Sequence, residues 1–75
     1  MKNLQAEMAR YGVNTADIGA ILGKSESTIR DKLVGKIRFS IEEAICVRDN
    51  LFPSMRIEYL FAGEDQDREI FYSKL

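Results

Sequence analysis

The stretch from Asn14 to Gly35, NTADIGAILGKSESTIRDKLVG, constrains this 75-residue chain more tightly than any other. Asn14 and Ser25 are N-cap residues, whose side-chain oxygens accept from backbone amides of a first helical turn. Each precedes apolar residues at helical spacing: Ile18, Ile21 and Leu22 after Asn14, then Ile29 and Leu33 after Ser25. Two short helices are therefore expected, with Asp17 complementing the first one's dipole. Gly23 falls in the turn between them, where a left-handed backbone is cheap only for glycine. Gly19 lies inside the first helix, where a side chain would hold the two helices apart. Ile29, six residues beyond Gly23, can plug the angle between them.

The rest of the chain reads as further short helices. One is expected over residues 2–10, with Leu4, Met8 and Tyr11 on one face and Gly12 as its stop. The helix after Ser25 ends near Val34, before Gly35. A capping box from Ser40 to Glu43 opens the next, ahead of Ile41, Ala44, Ile45 and Val47, and Pro53 ends it near Leu51. Ser54 is expected to cap a short fifth helix, MRIEYLF, with Ile57, Leu60 and Phe61 apolar and Gly63 closing it. Cys46 reads as a small core residue. The tail EDQDREIFYSKL fits either another helical turn or two, or an extended arm. This predicts an all-α, compact five-helix domain over residues 1–62, its helix pair at 14–35, and a tail over 63–75. Helices this short do not survive alone, so packing around Ile18, Leu22, Ile29, Leu33 and Ile45 must hold them.

Composition narrows the function. A chain this short buries only about 60 % of the surface it exposes unfolded, which makes a homodimer physically attractive. No apolar run is long enough to span a membrane and no signal-peptide pattern is present, so no membrane partner is expected. The single Cys46 fits a reducing cytoplasm. There is no histidine, which removes the commonest general base and metal ligand together. Gly19, Gly23 and Gly35 are not spaced as a phosphate-cradling loop. No enzyme, cofactor, metal or small-molecule substrate is expected.

Charge is unevenly placed. The net charge is −1, unusual for a nucleic-acid binder. Yet Lys24, Arg30, Lys32, Lys36 and Arg38 against Glu26 and Asp31 leave residues 24–38 at +3, whereas residues 39–75 carry −4. Local field governs docking on phosphate. A helix pair of this kind, followed by basic residues, lays its second helix into the major groove of DNA.

The spacing of Gly19, Gly23 and Ile29, the STIRDKLVGK segment and the FSIEEA helix start resemble the Cro/repressor (XRE-type) helix-turn-helix family, with its lambda-repressor-like fold. The resemblance covers roughly Leu4 to Phe61. The KL-x-GK ending and the later I-x-x-LF look like its small temperate-phage members. The resemblance implies a cytoplasmic transcriptional regulator, in a bacterial or phage-infected cell, binding double-stranded operator DNA as a homodimer. Two positions depart from the family. Thr15 stands where many members have a phosphate-reaching glutamine. Val34 stands where many place a glutamate that pairs with the arginine ending the first helix, so Arg10 is left to a phosphate or another acid.

Candidate base contacts are Glu26, Ser27, Arg30 and Asp31. Arg30 can bridge the O6 and N7 of guanine, or instead pair with Glu26 one turn back. Glu26 can accept from a cytosine amino group, or simply complement the helix dipole. Ser27 suits a base edge or plain helix-terminus chemistry. Thr28 is a weaker candidate. Candidate phosphate contacts are Asn14, Thr15, Lys24, Lys36 and Arg38. Lys24 and Lys32 are expected to pack their stems while their ammonium groups reach outward. Phe52, Pro53, Met55, Tyr59, Phe71 and Tyr72 form the candidate dimer interface, or else close the core over the fifth helix. The alternative reading is a protein-interaction module on the same fold, an antirepressor or antitoxin component, favoured by the acidic C-terminal half.

Overall fold

Polar caps start three of the helices where their chemistry requires. A computed structural model describes residues 1–62. In it α1 spans Lys2–Tyr11, α2 Thr15–Leu22, α3 Glu26–Leu33, α4 Ile41–Leu51 and α5 Ile57–Leu60. No strand occurs among the described residues. The Asn14 side chain accepts from the Asp17 amide at 2.9 Å, and the Asp17 carboxylate accepts from the Asn14 amide at 2.9 Å. Ser40 and Glu43 make the same reciprocal box, at 3.1 and 2.9 Å. Ser25 caps α3 by accepting from the Thr28 amide. Gly12 and Gly23 follow α1 and α2 in the left-handed conformation, at φ 68° and 66°.

The α2–α3 junction depends on Gly19. A Cβ at that position would stand 2.6 Å from the Lys24 carbonyl oxygen and 3.8 Å from Ile29 Cγ1. The turn therefore folds directly over the bare backbone of α2, and the Lys24 amide donates to the Gly19 carbonyl at 3.0 Å. The expected obstacle to a side chain was the second helix; the nearest obstacle is the turn's own backbone. Ile18 and Ile29 are fully buried beneath it.

The core continues through Leu4, Ala44, Val47 and Leu60, all without solvent contact. α1 packs on α5, and α4 contacts both α2 and α5. The rings of Phe39 and Phe61 meet edge-on at 5.2 Å, joining the α3–α4 loop to the end of α5. Such pairs add roughly 0.5–1.5 kcal/mol beyond burial.

Several sequence expectations change. Ile45 is exposed rather than core; the inward face of α4 follows Ala44 and Val47, and Ile45 lies one helical step of about 100° from Ala44 and two from Val47. Cys46 is only half-buried, whereas Ile21 and Leu22, also half-buried, do pack against the core as their spacing requires. Tyr11 is exposed at the end of α1, its ring edge-on to Phe52 at 6.3 Å. Ser54 does not cap α5. The Met55 amide bonds back to the Phe52 carbonyl, which closes a turn over Pro53 and Ser54 and delays α5 until after Arg56.

Glu7 is an unforeseen core acid, 2 % exposed. It shares the face of Leu4 and Met8 and is satisfied there: Arg10 donates to both its oxygens at 3.2 and 3.1 Å, and the Tyr59 hydroxyl donates at 2.6 Å. Arg10 thus meets another acid. Accepting that proton holds the Tyr59 hydroxyl above the ordinary tyrosine range.

Replacing Gly19 with alanine should cost about 1–3 kcal/mol, because a backbone carbonyl yields less readily than a side chain. Urea unfolding of G19A measures it. A midpoint matching the natural chain would mean that the turn is not held against α2.

Candidate nucleic-acid interface

α3 divides cleanly into two faces. Ile29, Lys32 and Leu33 are buried, at i, i+3 and i+4. Ser27 and Arg30 are exposed on the opposite stripe, with Asp31 half-buried beside them and exposed Val34 next at the C-cap. Helical spacing alone produces this split, since the inward register leaves positions 27, 30, 31 and 34 outside.

The N-terminal ends of α2 and α3 meet. The Thr15 hydroxyl donates to Glu26 Oε1 at 3.0 Å, and Arg30 Nη1 stands 3.9 Å from that same oxygen. The Arg30–Glu26 approach anticipated along the helix therefore exists, but it is long and exposed on both sides, so it holds the guanidinium weakly. Thr15 directs its hydroxyl to Glu26. Asn14 is exposed, with its carbonyl oxygen committed to the cap. Thr28 is half-buried, its hydroxyl accepting from Ser25. Lys24 is exposed in the turn.

Beyond α3 the chain folds back on the helix it has just left. The amides of Lys36 and Ile37 both donate to the Asp31 carbonyl, at 2.8 and 3.3 Å. This brings exposed Lys36 and Arg38 alongside the C-terminal half of α3. The structure thus gathers Glu26, Ser27, Arg30, Asp31, Thr15, Lys36 and Arg38 around one helix.

Lys32 departs from its expected place. Its ammonium points inward and the side chain is 6 % exposed. It donates to Glu43 Oε1 and to the Arg38 carbonyl, each at 3.0 Å, and lies 5.5 Å from the Phe39 ring centre. Sequence reasoning missed this because its partner lies eleven residues away; the register 29, 32, 33 was the available signal. Val34 was also missed as a surface residue. It is 66 % exposed, and an apolar residue ending the outward stripe was legible from spacing.

Phe52 is 2 % exposed and closes the core, so it offers little to a partner. Pro53 is exposed, Met55 half-buried, and Tyr59 exposed although its hydroxyl is held by Glu7. Tyr11, Leu51, Phe52, Pro53, Ser54 and Met55 line a shallow groove. Phe71, Tyr72 and the rest of the tail lie outside the described residues. Among the described residues no group of acids and cysteine is placed to hold a metal ion, and no helix is long and apolar enough to cross a membrane.

Burial by itself would raise the Glu43 carboxyl; the Ser40 amide and the Lys32 ammonium oppose it and hold it below its ordinary value of 4.5. A carboxylate stabilised in the folded state adds stability that is complete above that ordinary value and is lost as pH falls through the lower folded value. Urea midpoints should therefore drop across this acid interval in the natural chain. Glu43→Gln should flatten that part of the profile, and an equal acid loss in the variant would remove Glu43 as its source.

No protein-family model, curated protein or solved structure matches this chain.

Proposed function

We propose that residues 14–35 act as a helix-turn-helix of the Cro/repressor, lambda-repressor-like kind. On this reading the chain is a transcriptional repressor that binds operator DNA as a homodimer. One observation carries it: α3 offers a polar outward stripe, Ser27, Arg30 and Asp31, flanked by exposed Lys24, Lys36 and Arg38. Its inward stripe is consumed by the core, so the helix is anchored along one side and open along the other.

Each part has a physical role. Arg30, weakly held by Glu26, can leave it for the O6 and N7 of guanine, worth ~1–3 kcal/mol of discrimination. Glu26, steadied by Thr15, accepts from a cytosine amino group, and Ser27 meets a base edge. Val34 supplies apolar contact to a thymine methyl. Lys24, Lys36 and Arg38 neutralise phosphates. With the Thr15 hydroxyl engaged by Glu26 and the Asn14 backbone amide by Asp17, Thr15 contributes through its own amide at the start of α2 and Asn14 through its exposed side-chain NH2. Repression then follows from occupancy of promoter DNA, with no cofactor. A two-fold dimer reads half-sites ~34–36 Å apart. Its interface is proposed along Pro53, Met55 and Tyr59, with Phe52 as the floor of the groove beside them.

That groove, edged by Tyr11 and Met55, is also the observation that favours the second reading, a protein-interaction module. Fluorescence anisotropy with duplex DNA at two salt concentrations separates the two. Arg30→Ala should lose ~1–3 kcal/mol on a preferred duplex. Lys36→Ala should weaken all duplexes similarly and make the salt slope shallower by about 0.9. If both variants bind as the natural chain does, α3 is not the DNA surface and the interaction reading takes its place.

A further inference from the structure

The buried Lys32–Glu43 pair reaches further than the two helices it joins. Lys32 leaves the inward face of α3, and Glu43 stands in the first turn of α4. Between them runs the loop that carries Lys36 and Arg38. The near end of this loop is pinned by backbone, where the Lys36 and Ile37 amides reach the Asp31 carbonyl. The far end is pinned by the lysine, whose ammonium donates to the Arg38 carbonyl at 3.0 Å while also holding Glu43 at 3.0 Å. The same Glu43 oxygen accepts from the Ser40 amide at 2.9 Å. A single ammonium therefore ties the recognition helix, the backbone of a phosphate-binding candidate and the cap of the next helix. The Phe39 ring beside it, itself packed on Phe61, shields the cluster.

An ammonium is an unusual choice for a site 5 % exposed, since burying a charge is costly unless it is well paired. An apolar side chain would fill the space, but it would not hold the Arg38 carbonyl. We infer that Lys32 is a positioning residue for the DNA surface, fixing the Lys36–Arg38 loop against α3 so that both cations meet phosphates in register with Arg30. This rests on the DNA reading above. It assigns Lys32 no contact with DNA: its charge is spent inside the protein, and its effect on binding passes through the loop.

The test compares the natural 75-residue chain with Lys32→Met, Glu43→Gln and Met8→Ala, each verified as folded by circular dichroism at the binding temperature. Met8→Ala loses a core contact in α1, outside the loop, and controls for destabilisation alone. The probe is a labelled mixed-sequence duplex of about 30 base pairs, long enough for two half-sites one turn apart. Affinity is read between about 50 and 200 mM salt. Lys32→Met should bind more weakly with a salt slope shallower by about 1.8, the worth of two phosphate contacts at about 0.9 each. Met8→Ala should keep the natural slope. Glu43→Gln retains an amide oxygen for the Ser40 cap but loses the charge that holds Lys32. It should move the slope in the same direction, and it serves as the deciding variant if Lys32→Met does not fold. A natural slope in the folded variants, or an equal change in Met8→Ala, overturns the positioning role while leaving the DNA reading intact. No binding by the natural chain at either salt overturns both.

Discussion

The contact between the Lys24 carbonyl and the bare α-carbon of Gly19 is the constraint from which the rest of the arrangement follows. A side chain there would lie 2.6 Å from that oxygen, so the turn could close only by moving away from α2. With glycine in place, the turn lies flat on the helix and Ile29 drops into the space beneath it. α3 then has no freedom in choosing its buried face: Ile29, Lys32 and Leu33 go inward. Ser27, Arg30 and Val34 are left outside for the same geometric reason. The surface proposed to read DNA is thus a consequence of how the helix pair closes.

Much of this was legible in the residues because it rests on local chemistry. Asn14, Ser25 and Ser40 announce helix starts through side chains that reach only a few positions along the chain. Gly12 and Gly23 mark helix ends through backbone conformations that other residues resist. What escaped reading depended on distant partners or on rotation about a helix axis. Lys32 looks like a surface cation until Glu43 is brought to it from eleven residues on. Glu7 looks like a solvated acid until Tyr59 arrives from α5. Ile45 and Val47 are equally apolar, and only the packing of α4 against α2 and α5 decides that Val47 turns inward. Ser54 resembles a cap, but Pro53 and the hydrogen bond from Met55 to Phe52 draw it into a turn.

Charge follows the same division between sum and placement. Acids outnumber bases over the whole chain by one, yet the bases near α3 are not all equivalent. Lys32 is spent on Glu43 and contributes little outward field. Lys24, Lys36 and Arg38 remain exposed around the helix. The local potential therefore comes from fewer cations than the sequence count implies, and their placement becomes correspondingly important. The loop after α3, though short and irregular, is bound at both ends to the helix before it.

Amide chemical-shift mapping of the isotope-labelled chain with duplex DNA reports whether the surface around α3 is the one that meets DNA. Docking through α3 should give salt-sensitive shifts concentrated at Asn14 and Thr15, along Lys24 to Asp31, and at Lys36 to Arg38, with α1 and α5 little changed. Shifts centred instead on the groove of Tyr11, Pro53 and Met55, or no shifts at any salt concentration, would contradict it.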